Sequence, residues 1–378
     1  MPASSVPAYI HESVRALPVL PTAVSRLLAL TRELDVDFGE IAQVIETDQT
    51  LTARVLRAAN SPLYSVSRRI TTLRQATVLL GTDAVVNLAL GVSVMSMQSR
   101  LHDQLPLDAA AFGRHSIAVA LAARRLAEQQ PAVNPGEAFV AGLLHDIGKL
   151  VLLMHHGESY SRLMLRAHEG EAPLHVLEDW AYNVDHALVG HALCLHWNLP
   201  PAFAGAVAGH HAGAVPGTLG AVVGTANDLV NAFGLGDGGS RYLPLAEAPD
   251  LAPDALDAAW LHTLLETLPE ETHAMEEALG HPTAPAAAPA EGGRRVLVRV
   301  THPAERACLQ AVLASMGCVP LVAGGDGAAV PTAVVADVPV PAGGVPLFDY
   351  GVWRSTHAVD GTLHAPRLRE ALQRTLDG

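Results

Sequence analysis

The sequence predicts a mainly α-helical fold followed by a small α/β unit, and three observations carry that prediction. Aromatic residues are only 4% of a chain that is 49% hydrophobic, with Ala, Leu and Val dominant, a balance suited to packed helices. Apolar residues recur at helical intervals between capping residues over most of the chain. After "GHPTAPAAAPAEGG", a Pro/Ala/Gly stretch without a core, the pattern changes to short β-branched runs. A length of 378 residues suggests two or three units at about 150 residues per domain.

Residues 18 to about 100 read as short helices joined by tight turns. In "DFGEIAQVI", Asp37 is the expected N-cap and Glu40 lies at capping-box spacing, before Ile41, Val44 and Ile45. In "DQTLTARVLRAANSP", Asp48 caps, Leu51, Val55, Leu56 and Ala59 make one face, and Asn60-Ser61-Pro62 ends the element. "TTLRQATVLLGTDAVVNLALGVSVM" reads as two helices broken at Gly81, with Thr82 capping the second. Met95 and Met97 are expected in the core, and so are Trp180 and Trp197. A second helical group runs from about Phe112 to Phe233, and "DALDAAWLHTLLETLPEETHAMEEAL" supplies one or two closing helices. Beyond the linker, "RRVLVRV", "VPLVAG" and "TAVVADV" read as strands, the first two separated by a helical "PAERACLQAVLASMG", which implies a parallel α/β unit.

A net charge of −14 opposes a large nucleic-acid footprint, since phosphate binding needs a concentrated basic face. Arg54, Arg57, Arg68 and Arg69 flank helices of helix-turn-helix spacing, but read better as a solvated face than as a DNA contact. Cys194, Cys308 and Cys318 form no CxxC pair and fit free thiols in a reducing cytosol. The N-terminus lacks a basic start with an apolar core, and no run approaches the ~20 apolar residues that span a bilayer, so a soluble, cytoplasmic protein is expected.

The chemistry concentrates in "FVAGLLHDIGKLVLL", where His145, Asp146 and Lys149 interrupt an apolar run. Burying an imidazole and a carboxylate costs several kcal/mol unless each is paired or holds a metal. On one helix the two would stand about 100° apart and lean toward a common point, with Gly148 loosening the backbone. Further donors are His115, His186 and the pair His210-His211. Imidazoles with a carboxylate suit Mn, Fe, Zn or Ni.

"LPTAVSRLLAL", "IETDQTLTARVLRAANSPLYS", "ITTLRQATVLLG", "AGLLHDIGKLVLL" and "DHALVGHALCLHWNLPPAFAGAVAGHH", in that order, resemble an HDOD domain, the HD-related output domain of bacterial signalling proteins, over roughly residues 12 to 265. The resemblance implies an all-α fold related to HD and HD-GYP phosphohydrolases, usually found in regulatory proteins and often without demonstrated catalysis. It implies that His145 and Asp146 are the metal-bridging pair, that His115 is the upstream ligand, that His186, His210 and His211 are further ligands, and that Lys149 faces a phosphate. Two departures matter. Asn227 stands where a final aspartate ligand is expected, with Asp228 one step out of register, and no GYP follows His211. Asn coordinates through its carbonyl but brings no charge, and such hydrolysis depends on a lowered water pKa.

The expected organisation is an HDOD domain over 12–279, divided into a helical subdomain of about 12–105 and an HD-like subdomain of about 106–279. A linker over 280–293 and an α/β unit over 294–378 follow. That last unit resembles, more loosely, a receiver domain of two-component signalling. Asp337 falls at the phosphoacceptor position, Thr301-His302 replace the acidic pair, and Thr362 stands where the lysine belongs, so a degenerate pseudo-receiver is expected. The helical module should fold without it.

The expected function is a signal-transduction regulator that binds signalling proteins or a nucleotide ligand, with metal held but little or no turnover. A metal-dependent phosphohydrolase using Asp146 and Lys149 on a nucleotide or cyclic nucleotide is the alternative, and DNA binding the second alternative. A homodimer is an expected assembly, and membrane insertion is not.

Overall fold

The computed structural model describes residues 7–16, 22–30, 38–64, 68–102, 109–168, 171–211, 215, 217–233, 235, 242–244 and 258–280. Beyond these it describes 295–299, 319–322, 333–336, 347–349, 362–364, 368 and 371–374. The described chain is mainly helical. Helices α1 (Ala8–Ala16), α2 (Thr22–Leu30), α3 (Phe38–Glu46), α4 (Gln49–Ala59) and α5 (Leu73–Leu80) lead to the long α6 (Thr82–His102).

Caps set these boundaries. The Asp48 carboxylate accepts from the backbone N–H of Thr50 at 2.9 Å and Leu51 at 3.0 Å, satisfying two orphan donors of α4. Thr72 accepts from Gln75 N at 3.1 Å while Gln75 Oε1 accepts from Thr71 N at 2.9 Å, a reciprocal cap on α5. Gly81 separates α5 from α6 at φ 87°, the left-handed region that favours glycine. Thr82 is the first helical residue of α6, one place later than a cap would sit. The expected Asp37 cap lies outside the described residues.

From Val85 to Met95 every residue of α6 is buried, as a helix apolar on all sides must be, and Met97 is buried too. Helix α6 bridges the N-terminal helices to the second group: α7 (Ala109–Ala127), α8 (Pro135–Leu144), α9 (Ile147–His156), α10 (Glu158–His168), α11 (Leu174–Tyr182), α12 (His186–His196), α13 (Pro201–Gly209) and α14 (Leu219–Phe233). The closing helix α15 (Ala258–Leu279) is one element with Pro269 inside it, and it packs on α7 and α4. One apolar core joins all of these helices, from Ile10 to Leu279. Pro135–His156, the stretch of the described residues long and apolar enough to cross a membrane, has 89% of its most apolar 18-residue window buried within that core.

Trp197 is in the core at 6% exposure, but Trp180 is 64% exposed, which corrects the expectation for it. Helix α11 buries Leu174, Leu177 and Glu178, and two further residues rotate about 200° around the helix to the solvent side. Arg57, Arg68 and Arg69 are exposed, and Arg54 donates to Ser96 Oγ at 2.5 Å.

Strand β1 (Tyr242–Pro244) precedes α15, and the C-terminal region contributes β2 (Arg295–Arg299), β3 (Val319–Val322), β4 (Ala333–Ala336), β5 (Leu347–Asp349) and β6 (Thr362–His364). Four of them form a parallel sheet in the order β3-β2-β4-β5, with Leu297 aligned to Leu321 and Val334. Strand β6 leaves that sheet. It pairs antiparallel with β1, Leu363 opposite Leu243, and Leu368, Ala371 and Leu372 are buried in the helical core. Thr362 therefore does not occupy a strand end of the parallel sheet, where a receiver would carry its lysine. What the described residues show of this region is a four-stranded parallel sheet. Asp337, Thr301, His302, the 281–293 segment and the expected "PAERACLQAVLASMG" helix lie outside them.

Candidate metal centre

His145 and Asp146 do not share one helix. Helix α8 ends at Leu144, His145 is its C-cap, and Asp146, at φ −98° and ψ 5°, starts α9. Neighbours on a continuous helix diverge by about 100°, so this corner is what brings the two side chains together, with His145 Nε2 3.3 Å from Asp146 Oδ2. Gly148 does not loosen the backbone either. A Cβ there would lie 2.0 Å from the carbonyl oxygen of His186, so glycine is what admits α12 against α9. Gly224 does the same for α14, where a Cβ would lie 2.7 Å from His210 O.

These approaches bring six sequence-predicted residues around one carboxylate. Asp146 Oδ1 faces His186 Nε2 at 3.3 Å and His210 Nε2 at 3.7 Å. Its other oxygen faces His145 Nε2 at 3.3 Å, His115 Nε2 at 3.7 Å and the Lys149 ammonium at 2.6 Å. Asp146 is thus common to two donor groups, one with His186, His210 and His211 and one with His115 and His145, each with its donor atoms within 4.8 Å of one another. Asp228 belongs to neither group among the described residues. Asn227 is buried, but its carbonyl oxygen accepts from Asn231 at 3.1 Å.

The histidines are oriented by their far nitrogens. His145 Nδ1 lies 2.7 Å from Gly142 O and His210 Nδ1 lies 2.7 Å from Val207 O. A carbonyl only accepts, so both Nδ1 atoms carry the proton and both Nε2 lone pairs point inward. His145 Nε2, His210 Nε2 and Asp146 Oδ1 are buried with no hydrogen-bond partner among the described residues. Buried orphan acceptors are costly, and divalent cations held by the two donor groups that share Asp146 would satisfy them. The cluster can therefore hold a metal, and the donor chemistry fits one.

Charge follows the same geometry. Burial alone would raise the Asp146 carboxyl, but His145 and Lys149 beside it hold it well below the usual carboxylate range. Burial pushes His210 down to about 3 and His211 well below its ordinary value. Burial acts downward on His186 too, but the Glu178 carboxylate outweighs it and lifts the imidazole to about 9. His211 Nε2 and His186 Nε2 lie 2.8 Å apart, so one of them carries a proton, because two bare lone pairs at that distance would repel.

Three residues escaped the sequence reading. Glu178 is fully buried and its Oε2 meets His186 Nδ1 at 2.6 Å. Tyr160 donates to Glu178 Oε1 at 2.5 Å. His175 stacks on His211 with ring centroids 4.4 Å apart, and burial lowers its pKa to about 4. The spacing of Leu174, Leu177 and Glu178 does put a carboxylate on a core face, which was the available signal.

The comparisons agree with this architecture. A protein of Geobacter sulfurreducens described as an HDOD domain protein with unknown function is 27% identical, with a TM-score of 0.60 over 71% of this chain and 98% of that one. A candidate phosphohydrolase of Shewanella amazonensis SB2B shares the fold at 22% identity and TM-score 0.52, covering 72% of this chain and 97% of its own. A candidate signal-transduction protein of Marinobacter aquaeolei VT8 does so at 22% identity and TM-score 0.58, covering 73% and 62%. An uncharacterized protein of Treponema pallidum (strain Nichols) is 26% identical over 205 residues, 54% of this chain, so that the match spans 39% of that relative's length. Residues 17–213, more than half of the chain, match the HDOD domain, and the protein belongs to the HDOD family.

Proposed function

We propose that this protein is a signalling regulator whose HDOD domain works by binding, with a divalent ion held at Asp146 and little or no turnover. The observation that carries the reading is the buried Asp146 carboxylate shared by two donor groups, with His145 Nε2, His210 Nε2 and Asp146 Oδ1 without a hydrogen-bond partner among the described residues. His186 and His210 would hold an ion on Oδ1, with His211 beside them, and His115 and His145 one on Oδ2. Fe, Mn, Ni and Zn suit such donors. Two features oppose efficient hydrolysis. Asn227 brings no charge and is engaged with Asn231, and Lys149 is committed to Asp146 at 2.6 Å, where it neutralises the shared carboxylate.

The phosphohydrolase reading keeps one specific support, the placement of a single carboxylate between two donor groups. Bound ions there would supply Lewis acidity and charge neutralisation to a phosphate. Asp146 and Lys149 would then orient and neutralise the substrate, a nucleotide or cyclic nucleotide. The strand order β3-β2-β4-β5 supports a degenerate receiver-like unit used for contact with signalling proteins or a second copy of the chain. A cytoplasmic location is part of the same proposal.

The deciding experiment loads purified full-length protein in turn with Mn, Fe, Ni and Zn, measures metal per chain by mass spectrometry, and assays cyclic dinucleotide hydrolysis. The expected result is at least one ion per chain and no hydrolysis above the buffer rate. Hydrolysis at ordinary enzymatic rates would replace the binding reading with the phosphohydrolase. Failure of every metal to bind would reduce the cluster to a scaffold.

A further inference from the structure

His145 and His210 solve the problem of orientation locally. Each stands at the C-terminal cap of a helix, where last-turn carbonyls lack intrahelical partners, and each gives its Nδ1–H to the carbonyl three residues back. His186 cannot do so. It is the first residue of α12, where the surplus backbone groups are N–H donors, and its acceptor has to come from another helix. That acceptor is Glu178 of α11, whose Oε2 takes the His186 backbone N–H at 2.8 Å and meets Nδ1 at 2.6 Å.

The rest of the Glu178 surroundings defines the proton positions. Tyr160, itself fully buried, donates its hydroxyl to Oε1, so both carboxylate oxygens act as acceptors and the side chain is ionised. The proton between Glu178 and His186 therefore sits on Nδ1, and Nε2 is the atom turned to Asp146 Oδ1 at 3.3 Å. A neutral carbonyl would orient the ring equally well. A second buried carboxylate does more, because it raises the basicity of the ring and adds a negative charge that Asn227 does not bring.

We infer that Glu178, braced by Tyr160, is a positioning residue of the metal centre that holds His186 in its Nδ1–H form and supplies the charge missing at Asn227. The inference rests on the metal-binding reading above. It predicts that Glu178→Gln, which keeps the shape and removes the charge, weakens divalent-metal affinity by roughly 10–100-fold. The alternative role, an N-terminal cap for α12, would cost stability and leave affinity unchanged.

The experiment titrates Zn and Co into chelator-stripped full-length protein against a competing chelator, for wild type, Glu178→Gln and Tyr160→Phe, and records imidazole nitrogen NMR of each. The His186 signals are assigned by their loss in His186→Gln. The expected result is a hydrogen-bonded Nδ1–H signal of His186 in wild type, lost or shifted in Glu178→Gln together with the fall in affinity, and an altered Co absorption band. Tyr160→Phe should weaken affinity by several-fold, and it carries the test alone should Glu178→Gln fail to fold. Wild-type affinity in a folded Glu178→Gln protein, or in Tyr160→Phe as the sole folded variant, overturns the inference. Wild-type protein that binds neither ion overturns the metal reading instead, and the two failures are thereby distinct.

Discussion

Asp146 is where single-residue effects should be largest, because both donor groups share it. Asp146→Ala is expected to abolish metal uptake at either group, while Asn227→Asp, adding a charge on α14, should tighten binding. Equilibrium dialysis with Mn or Zn checks both, and retained stoichiometric binding in Asp146→Ala would refute the shared-carboxylate geometry. The histidines also shape stability against pH. His175, at about 4, and His210, at about 3, have folded pKa values below the ordinary 6.5, so the unfolded chain binds more protons as pH falls below 6.5. Each contributes a slope of up to about 1.4 kcal/mol per pH unit, lost toward acid. His186, lifted to about 9, has the opposite sign: its contribution is whole below pH 6.5 and is lost as pH rises through 9. The melting temperature of chelator-treated protein should therefore peak near pH 6.5, and a flat profile between pH 4.5 and 6.5 would count against these burials. The six clustered residues were legible from their donor types and the HDOD resemblance, but the pairing of Glu178 was not, because its partner lies on another helix.

At the scale of elements, the site depends on how closely α9, α12, α13 and α14 approach. Gly148 lies against the His186 carbonyl and has no room for a Cβ at 2.0 Å, so Gly148→Ala has to push α12 from α9. Such overpacking costs about 1–3 kcal/mol or more, and it should also weaken metal binding by displacing His186. Thermal denaturation and metal titration on this one variant check the two effects together; stability at the wild-type level would show that the helices can part freely. The cap at Asp48 and the break at Gly81 were readable because they are chemistry within four residues. The corner at His145-Asp146 was not, since "GLLHDIGKL" contains no proline and its helical pattern runs straight through. Gly148 serves close approach and not backbone freedom, two roles that leave the same letter in a sequence.

For the whole molecule, the C-terminal region matters to the helical core more than the Pro/Ala/Gly-rich sequence before it suggests. Strand β6 pairs with β1, and Leu368 and Leu372 are buried in the same core as α15. A fully buried leucine contributes about 1.5–3 kcal/mol, so truncation at residue 285 should leave a helical protein whose melting temperature is lower by roughly 5 °C or more. Circular dichroism of the truncated chain, beside Leu368→Ala with Leu372→Ala in the full chain, tests this. An unchanged melting temperature would mean that the returning segment adds nothing.

The sequence by itself determined the helical class, the Asp48 cap, the core faces and the residue types of the His/Asp cluster. All of these follow from short-range periodicity and from the few side chains that can ligate a metal. Only the tertiary structure decided which oxygen of Asp146 faces which histidine, that Trp180 points to solvent, that Glu178 stands behind His186, and that β6 leaves the parallel sheet for β1. Each of those depends on contacts between residues distant in the chain. A single sequence records the donors at such a contact but not the angle and distance at which two helices or strands meet.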